Sequence, residues 1–161
     1  MTTGGLRDRL VFDSIRNNVI AHLTTLGWFA GGREHTAITV VDEFPDDNDE
    51  VALNTLAFSL GDSGGVDLEL GNNDESHEMT LFIDFFAEDD AVGRHLRGDI
   101  YEYLRANNIQ PVYDYSTDDS QFGTVEVLED IEKRKPDRAV NKWQKHWYVV
   151  SFSILDERTY T

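Results

Sequence analysis

Apolar residues at the start of the chain recur at helical spacing. Leu6, Leu10, Ile15, Val19, Leu23 and Leu26 fall along one side, while Arg9, Asp13, Arg16, Asn17 and Thr24 fall on the other, which predicts an amphipathic helix. Gly27, which tolerates left-handed backbone, is placed to end it. Trp28 and Phe29 are then expected to fold back onto the core before Gly31-Gly32 turns the chain.

The period then changes from helical to alternating. Ala37 to Val41 is short and β-branched and reads as a strand leading into an acidic loop. Leu56, Phe58 and Leu60 alternate with Thr55, Ala57 and Ser59, as expected of a strand with one face on the core; Val66, Leu68 and Leu70 repeat the pattern. Gly71-Asn72-Asn73-Asp74 is a turn signal. Met79 to Phe86 is apolar except at Thr80 and Asp84, which predicts a central strand covered on both faces.

The helical period returns once, opening at Glu88-Asp89-Asp90, where carboxylates can accept from free amides and oppose the positive end of the helix dipole. Its apolar stripe is Val92, Leu96, Ile100, Tyr103 and Leu104, and Asn107-Asn108 closes it. Strands are expected over Pro111 to Tyr115, Thr124 to Ile131 and Trp147 to Leu155; in the last, Tyr148, Val150, Phe152 and Ile154 oppose Trp147, Val149, Ser151 and Ser153. Short turns between strands imply a largely antiparallel β-sheet with the two α-helices packed on one face, an α+β two-layer single domain over residues 1–161.

A chain of 161 residues, 40% hydrophobic, with three Trp, six Tyr and nine Phe, is long enough to bury one sizeable core. With no cysteine it has no disulfide framework, thiolate metal site or thiol nucleophile. Neither a leader peptide nor a membrane span is expected, because no long apolar run occurs. The pattern fits a soluble protein made in a cytoplasm.

Charge narrows the possible partners. With 31 acidic residues against 14 basic ones, the formal net charge is -17, a field that repels phosphate backbones and anionic membranes. Two runs stand out. Asp42, Glu43, Asp46, Asp47, Asp49 and Glu50 gather around Pro45, and Lys133, Arg134, Lys135, Arg138, Lys142 and Lys145 gather around Pro136. Each reads either as a solvated loop or as one half of a complementary pair, within one chain or between copies.

No convincing active site emerges. Gly61-Asp62-Ser63-Gly64-Gly65 matches the nucleophile motif of trypsin-like serine proteases, and His22 and Asp42 precede Ser63 in the matching order. Yet His22 lies inside the first helix, and too few residues separate it from Ser63 to build paired barrels, so a glycine turn between two strands explains the motif. Asp84 with Glu88 to Asp90 resembles a cation site, but Arg94 and His95 are the sole local cations for an anionic substrate, and helix capping accounts for the acids. His22, His35, His77, His95 and His146 lack close ligand spacing. There is no P-loop, and Gly93 to Gly98 lies inside the second helix. Trp143 and Trp147 flank Lys145 and His146 at the start of the last strand, a cluster better suited to anchoring a strand or a subunit contact than to stacking nucleobases. The expectation is no catalytic residues, no metal and no cofactor.

Four segments carry a family resemblance. They are FDSIRNNVIAHLTTLGWF from Phe12 to Phe29, VDEFPDDNDEVALNTLAFSLGD from Val41 to Asp62, FIDFFAEDDAVGRHLRGDI from Phe82 to Ile100, and WQKHWYVVSFSILDE from Trp143 to Glu157. Together they resemble the tail-terminator and related head-to-tail joining proteins of long-tailed phages (siphoviruses) infecting actinobacteria. The resemblance implies a homo-oligomer, usually a ring of six copies, that caps the tail tube protein and meets the head-tail connector or stopper protein, with DNA passing through the bore without specific binding. It implies a place at the head-tail junction of the virion. An excess of carboxylates agrees, since it would keep phosphates from sticking.

The two charged runs are then candidate ring surfaces, meeting across a subunit boundary or facing tail and head separately. The Asp- and Ser-rich stretch from Ile109 to Phe122 is expected to be a loop lacking order in the free subunit, and the ending at Tyr160-Thr161 leaves no long arm. Two alternatives remain: a stopper or neck subunit of the same junction, and, from a different class, an acidic DNA mimic that inhibits a host nucleic-acid-binding protein.

Overall fold

The computed structural model of the chain describes residues 4–29, 38–43, 54–67, 74–136 and 146–159. In chain order they form α1 (Gly4–Thr25), β1 (Thr39–Val41), β2 (Thr55–Asp67), β3 (Asp74–Ala87), α2 (Asp90–Ala106), β4 (Ile109–Asp114), β5 (Ser120–Val127), β6 (Glu132–Arg134) and β7 (His146–Thr159). The strands make one sheet in the order β1-β2-β3-β7-β5-β4, with β6 also on β7. All pairings are antiparallel except β1 with β2. This is the α+β, mostly antiparallel arrangement that the hydrophobic pattern predicts.

β3 is the central strand expected from Met79 to Phe86: it pairs with β2 on one side and with β7 over its whole length on the other. Met79, Leu81, Ile83 and Phe85 face the helices beside Ile154, Phe152, Val150 and Tyr148, their register partners on β7. α1 adds Val11, Ile15, Val19 and Leu23, and α2 adds Leu96, Ile100 and Leu104, to the same buried cluster.

α1 stops where Gly27 takes φ 88°. Trp28 N–H reaches back to Leu23 O at 3.1 Å and Gly27 N–H to Thr24 O at 2.9 Å, so two free carbonyls of the last turn are satisfied. The reversal drives Trp28 fully into the core, where its indole N–H donates to Asp99 Oδ2 of α2 at 2.8 Å. α2 begins where Asp89 Oδ1 accepts from Ala91 N–H at 2.7 Å, and it ends at Asn107.

The structure departs from the sequence reading in four places. Gly61 to Gly65 is not a turn: β2 runs through it, with a bulge between Leu60 and Ser63 that sets two residues against one on β3. A Cβ at Gly61 would lie 2.9 Å from the Phe82 ring and 3.3 Å from Thr80 O, so the close strand approach, not a chain reversal, explains this glycine. Second, β2 buries both faces at its start, since Thr55 and Ala57 are as inaccessible as Leu56 and Phe58; Ala57 packs with Phe86, Val41 and Trp147 in a small second cluster on the face away from the helices.

Third, Thr124 to Ile131 is not one strand. β5 ends at Val127, and the Asp130 carboxylate accepts from Ser153 N–H at 3.0 Å and Ser153 Oγ–H at 2.6 Å, replacing a rung of the ladder with β7 before β6 begins. Fourth, Ile109 to Phe122 is a β4–β5 hairpin, in keeping with the strand expected over Pro111 to Tyr115 and not with a loop lacking order. Its turn is stabilised locally by Ser116 N–H donating to Asp114 Oδ1 at 3.1 Å and Ser120 N–H to Asp118 Oδ1 at 3.2 Å. The turn signal at Gly71 to Asn73 and the strand signals at Leu68 and Leu70 lie outside the described residues, as do Ala37 and Gly31-Gly32.

Candidate functional site

The basic run divides as soon as it becomes a strand. In β6, Lys133 sits opposite Val150 of β7 and Arg134 opposite Val149, so alternation sends Lys133 and Lys135 toward α2 and Arg134 to the other face of the sheet. Lys133 and Arg134 are thus strand residues and Lys135 follows the strand, and all three are exposed. Arg138, Lys142, Trp143 and Lys145 lie outside the described residues.

On the helix side, two tyrosines organise the cations. The Tyr148 ring carries Arg97 of α2 at 5.1 Å and Lys135 at 5.3 Å. The Tyr101 ring carries Arg105 of α2 at 5.9 Å and Lys133 at 4.8 Å. Each ring thus serves one arginine from α2 and one lysine from the β6 segment, holding four positive charges in a row. The basic run in the sequence includes the two lysines, whereas Arg97, Arg105 and Tyr101 lie outside it. Their helical spacing, four residues apart about Tyr101, was the available signal.

Tyr148 is fixed at both ends. Its hydroxyl donates to Asp90 Oδ1, and the same carboxylate oxygen accepts from Lys135 Nζ at 2.6 Å. Arg94 Nε is 3.1 Å from the other Asp90 oxygen. The Lys135 and Tyr148 hydrogen bonds lower the Asp90 pKa from 3.8 to about 2. Donating to Asp90 raises the Lys135 pKa, and the Tyr148 pKa is raised by burial and then by its hydrogen bond to Asp90. The ring lies flat against α2 because Gly93 has no side chain: a Cβ there would come within 2.1 Å of it.

The opposite face holds a buried carboxylate. Asp84 is 3% exposed, and Trp147 Nε1–H donates to its Oδ1 at 2.8 Å. Burial raises its pKa from 3.8 to about 6, against the lowering effects of the Trp147 hydrogen bond and the Arg134 charge. Trp147 also lies 6.1 Å from Phe86, so it closes the second cluster and satisfies its one acid together.

Of the acidic run, Asp42 and Glu43 are described and exposed, and Asp42 Oδ2 accepts from Arg16 Nη1 of α1 at 2.6 Å. Asp46, Asp47, Asp49 and Glu50 lie outside the described residues. The described ends of the two runs do not meet in one subunit: Asp42 is held by α1, Lys135 by α2.

The groups weighed for catalysis are engaged elsewhere. His22 stacks on Tyr103 at 4.4 Å, and Asp42 is bound by Arg16. Asp84 is held by Trp147, Asp89 caps α2, and Asp90 anchors Tyr148, so the suspected cation ligands serve three separate contacts. His77 is 3.6 Å from Asp8, and His95 3.6 Å from Asp99, while His35 is not described. Among the described residues no group of three or more His, Cys, Asp or Glu is arranged to hold a metal ion. Among them, too, no helix is long and apolar enough to cross a membrane.

Comparison with known proteins adds no identification: no protein-family model matches this chain, and no curated protein matches its sequence.

Proposed function

We propose that this chain is a structural phage protein, the subunit of a homo-oligomeric ring that ends the tail tube and joins it to the head connector, with DNA passing through the bore. The observation that carries the reading is how the charged residues are used. Carboxylates and histidines that in other settings do chemistry here hold strands and helices together: Asp84 through Trp147, Asp90 through Tyr148 and Asp156 through Arg7. What is left on the surface is a large acid excess, suited to a wall past which a phosphate backbone slides. The element order of helix, strands, helix and strands, and the four segments that resemble tail terminators, support the same assignment.

Deleting the gene from its phage tests it. Tails of uncontrolled length are the expected result. Filled heads that leak DNA would move the chain to the stopper position in the same junction. Normal particles would end the structural reading and favour the acidic DNA mimic.

A further inference from the structure

We infer that the cation row between α2 and β6 is a docking surface for a second copy of this chain, and that it receives the acidic tip of that copy's β4–β5 hairpin. The inference rests on the ring reading and specifies the contact that would build the ring.

The row is unusual for this molecule. Arg94, Arg97, Arg105, Lys133 and Lys135 place five of its 14 basic residues along one short surface, with Arg94, Arg105, Lys133 and Lys135 exposed. Asp90 neutralises part of the Lys135 and Arg94 end; at the Tyr101 end Arg105 and Lys133 share an aromatic ring, with Glu126 and Glu129 lining the hollow beside Arg105, and no ion pair to either cation is formed among the described residues. A ring face lets both cations keep their charge directed outward, and it holds two long side chains in place before any partner arrives. Pre-ordering of this kind lowers the entropic cost of docking. In a protein of net charge -17, a row of fixed cations is complementary to most of the surface of another copy.

The hairpin tip is the part of that surface best shaped to enter. Asp118 and Asp119 are exposed at the end of a two-stranded projection, within a turn that Asp114 and Asp118 stiffen through their own hydrogen bonds. It cannot reach the row of its own subunit. Arg105 lines the same hollow as Glu126 of β5, and the tip lies a further strand length on, so the two surfaces are separated by roughly 25 Å along the strand. Two different, distant, complementary surfaces make a contact that propagates head to tail and closes as a ring if the rotation allows.

Charge exchange tests the contact. Two variants are prepared, Arg105→Glu with Lys133→Glu, and Asp118→Lys with Asp119→Asn; Asn is used because Asp119 has φ 57°, which it tolerates. Circular dichroism verifies that each folds. Sedimentation is then measured at about 0.01 M and about 1 M salt, where charges are felt over about 30 Å and about 3 Å. The original chain is expected to associate at low salt and to dissociate at high salt. Each variant alone should associate at least about tenfold more weakly, the effect of losing roughly 1.4 kcal/mol of interfacial charge pairing. An equal mixture of the two should associate again, because each reversed surface then meets its opposite.

Variants that associate as well as the original chain, a mixture that stays dissociated, or an original chain that is monomeric at low salt would each overturn the inference. The ring reading fails separately. Salt-sensitive association restored by the mixture, but giving open chains rather than closed rings in electron micrographs, would keep this contact and remove the ring.

Discussion

Arg7 and Asp156, 149 positions apart, form a two-point ion pair that ties the first turn of α1 to the end of β7: Nε and Nη2 each donate to a different carboxylate oxygen at 2.7 Å. Asp156 is fully buried, whereas the Arg7 side chain is 21% exposed and lies over the Phe122 ring at 5.4 Å. Arg7→Met removes both of these donors from a buried carboxylate, and is expected to cost about 3 kcal/mol in denaturant unfolding. Adding Asp156→Leu should recover most of that loss. A double variant as unstable as the single one would show that the guanidinium acts through packing on Phe122 rather than through the pair.

Two glycines of α2 give opposite expectations. A Cβ at Gly93 would lie 2.1, 2.5 and 2.9 Å from three carbons of the Tyr148 ring, whose hydroxyl is tied to Asp90 and cannot swing aside. Gly93→Ala is therefore expected to destabilise by about 1–3 kcal/mol, overpacking outweighing the helix-propensity gain. Gly98 has nothing within 4 Å of the same position. Gly98→Ala should stabilise by about 0.5–1 kcal/mol. Thermal melts of the pair, with the original chain as reference, check both signs.

What the sequence made legible follows from which physical signal each element carries. α2 was readable to its caps because its apolar stripe, its acidic start and its Asn ending all agree with one another, and β3 was readable because a strand buried on both faces needs apolar residues at successive positions. The strand through Gly61 to Gly65 was hidden because three glycines weaken local β preference; only pairing with β3 and the Phe82 ring makes an extended chain favourable there. The break at Asp130 was hidden for the complementary reason, since its carboxylate substitutes for a backbone rung that only β7 can reveal. For the candidate interface, Lys133, Arg134 and Lys135 are contiguous along the chain but do not make one patch in space. Alternation in β6 sends the middle residue to the face of Asp84 and leaves the lysines to pair, across space, with Arg97 and Arg105. Sequence shows which charges are near in the chain, but the sheet decides which share a face.

Among the described residues, the edge of β4 away from β5 is closed by α1 rather than by another strand. Tyr113 N–H donates to Ser14 Oγ at 2.9 Å, and Asn18 Nδ2–H donates to Pro111 O at 3.1 Å and to Gln110 Oε1 at 3.0 Å. Ser14 is fully buried, so Ser14→Ala leaves the Tyr113 amide facing apolar atoms, at an expected cost of about 1–3 kcal/mol. It should also speed hydrogen exchange at Tyr113 more than at Val125, which pairs within the hairpin. Equal acceleration at both sites would mean that α1 supports the hairpin as a whole and not this edge.

The two unusual carboxylates act on stability in opposite directions as pH changes. Asp84, raised from 3.8 to about 6, binds its proton more tightly when folded than when unfolded. Its effect is therefore most favourable in acid, and stability is lost as pH rises from about 4 through about 6, by about 3 kcal/mol for a shift of about two pKa units. Asp90, lowered to about 2, contributes stability above the unfolded pKa of about 4 that disappears as pH falls through about 2. Asp84→Asn keeps an oxygen for the Trp147 indole and removes the ionisation. It should be more stable than the original chain by about 2 kcal/mol at pH 7 and should equal it near pH 4, so the difference between their unfolding curves isolates this one group. Indole fluorescence from Trp147, compared with a Trp147→Phe control, should change with the same midpoint near 6, since the hydrogen-bond acceptor gains charge there. A difference curve flat between pH 4 and 7 would mean that Asp84 stays ionised in its cluster, with Arg134 compensating burial more fully than the Trp147 contact and position in the sheet imply.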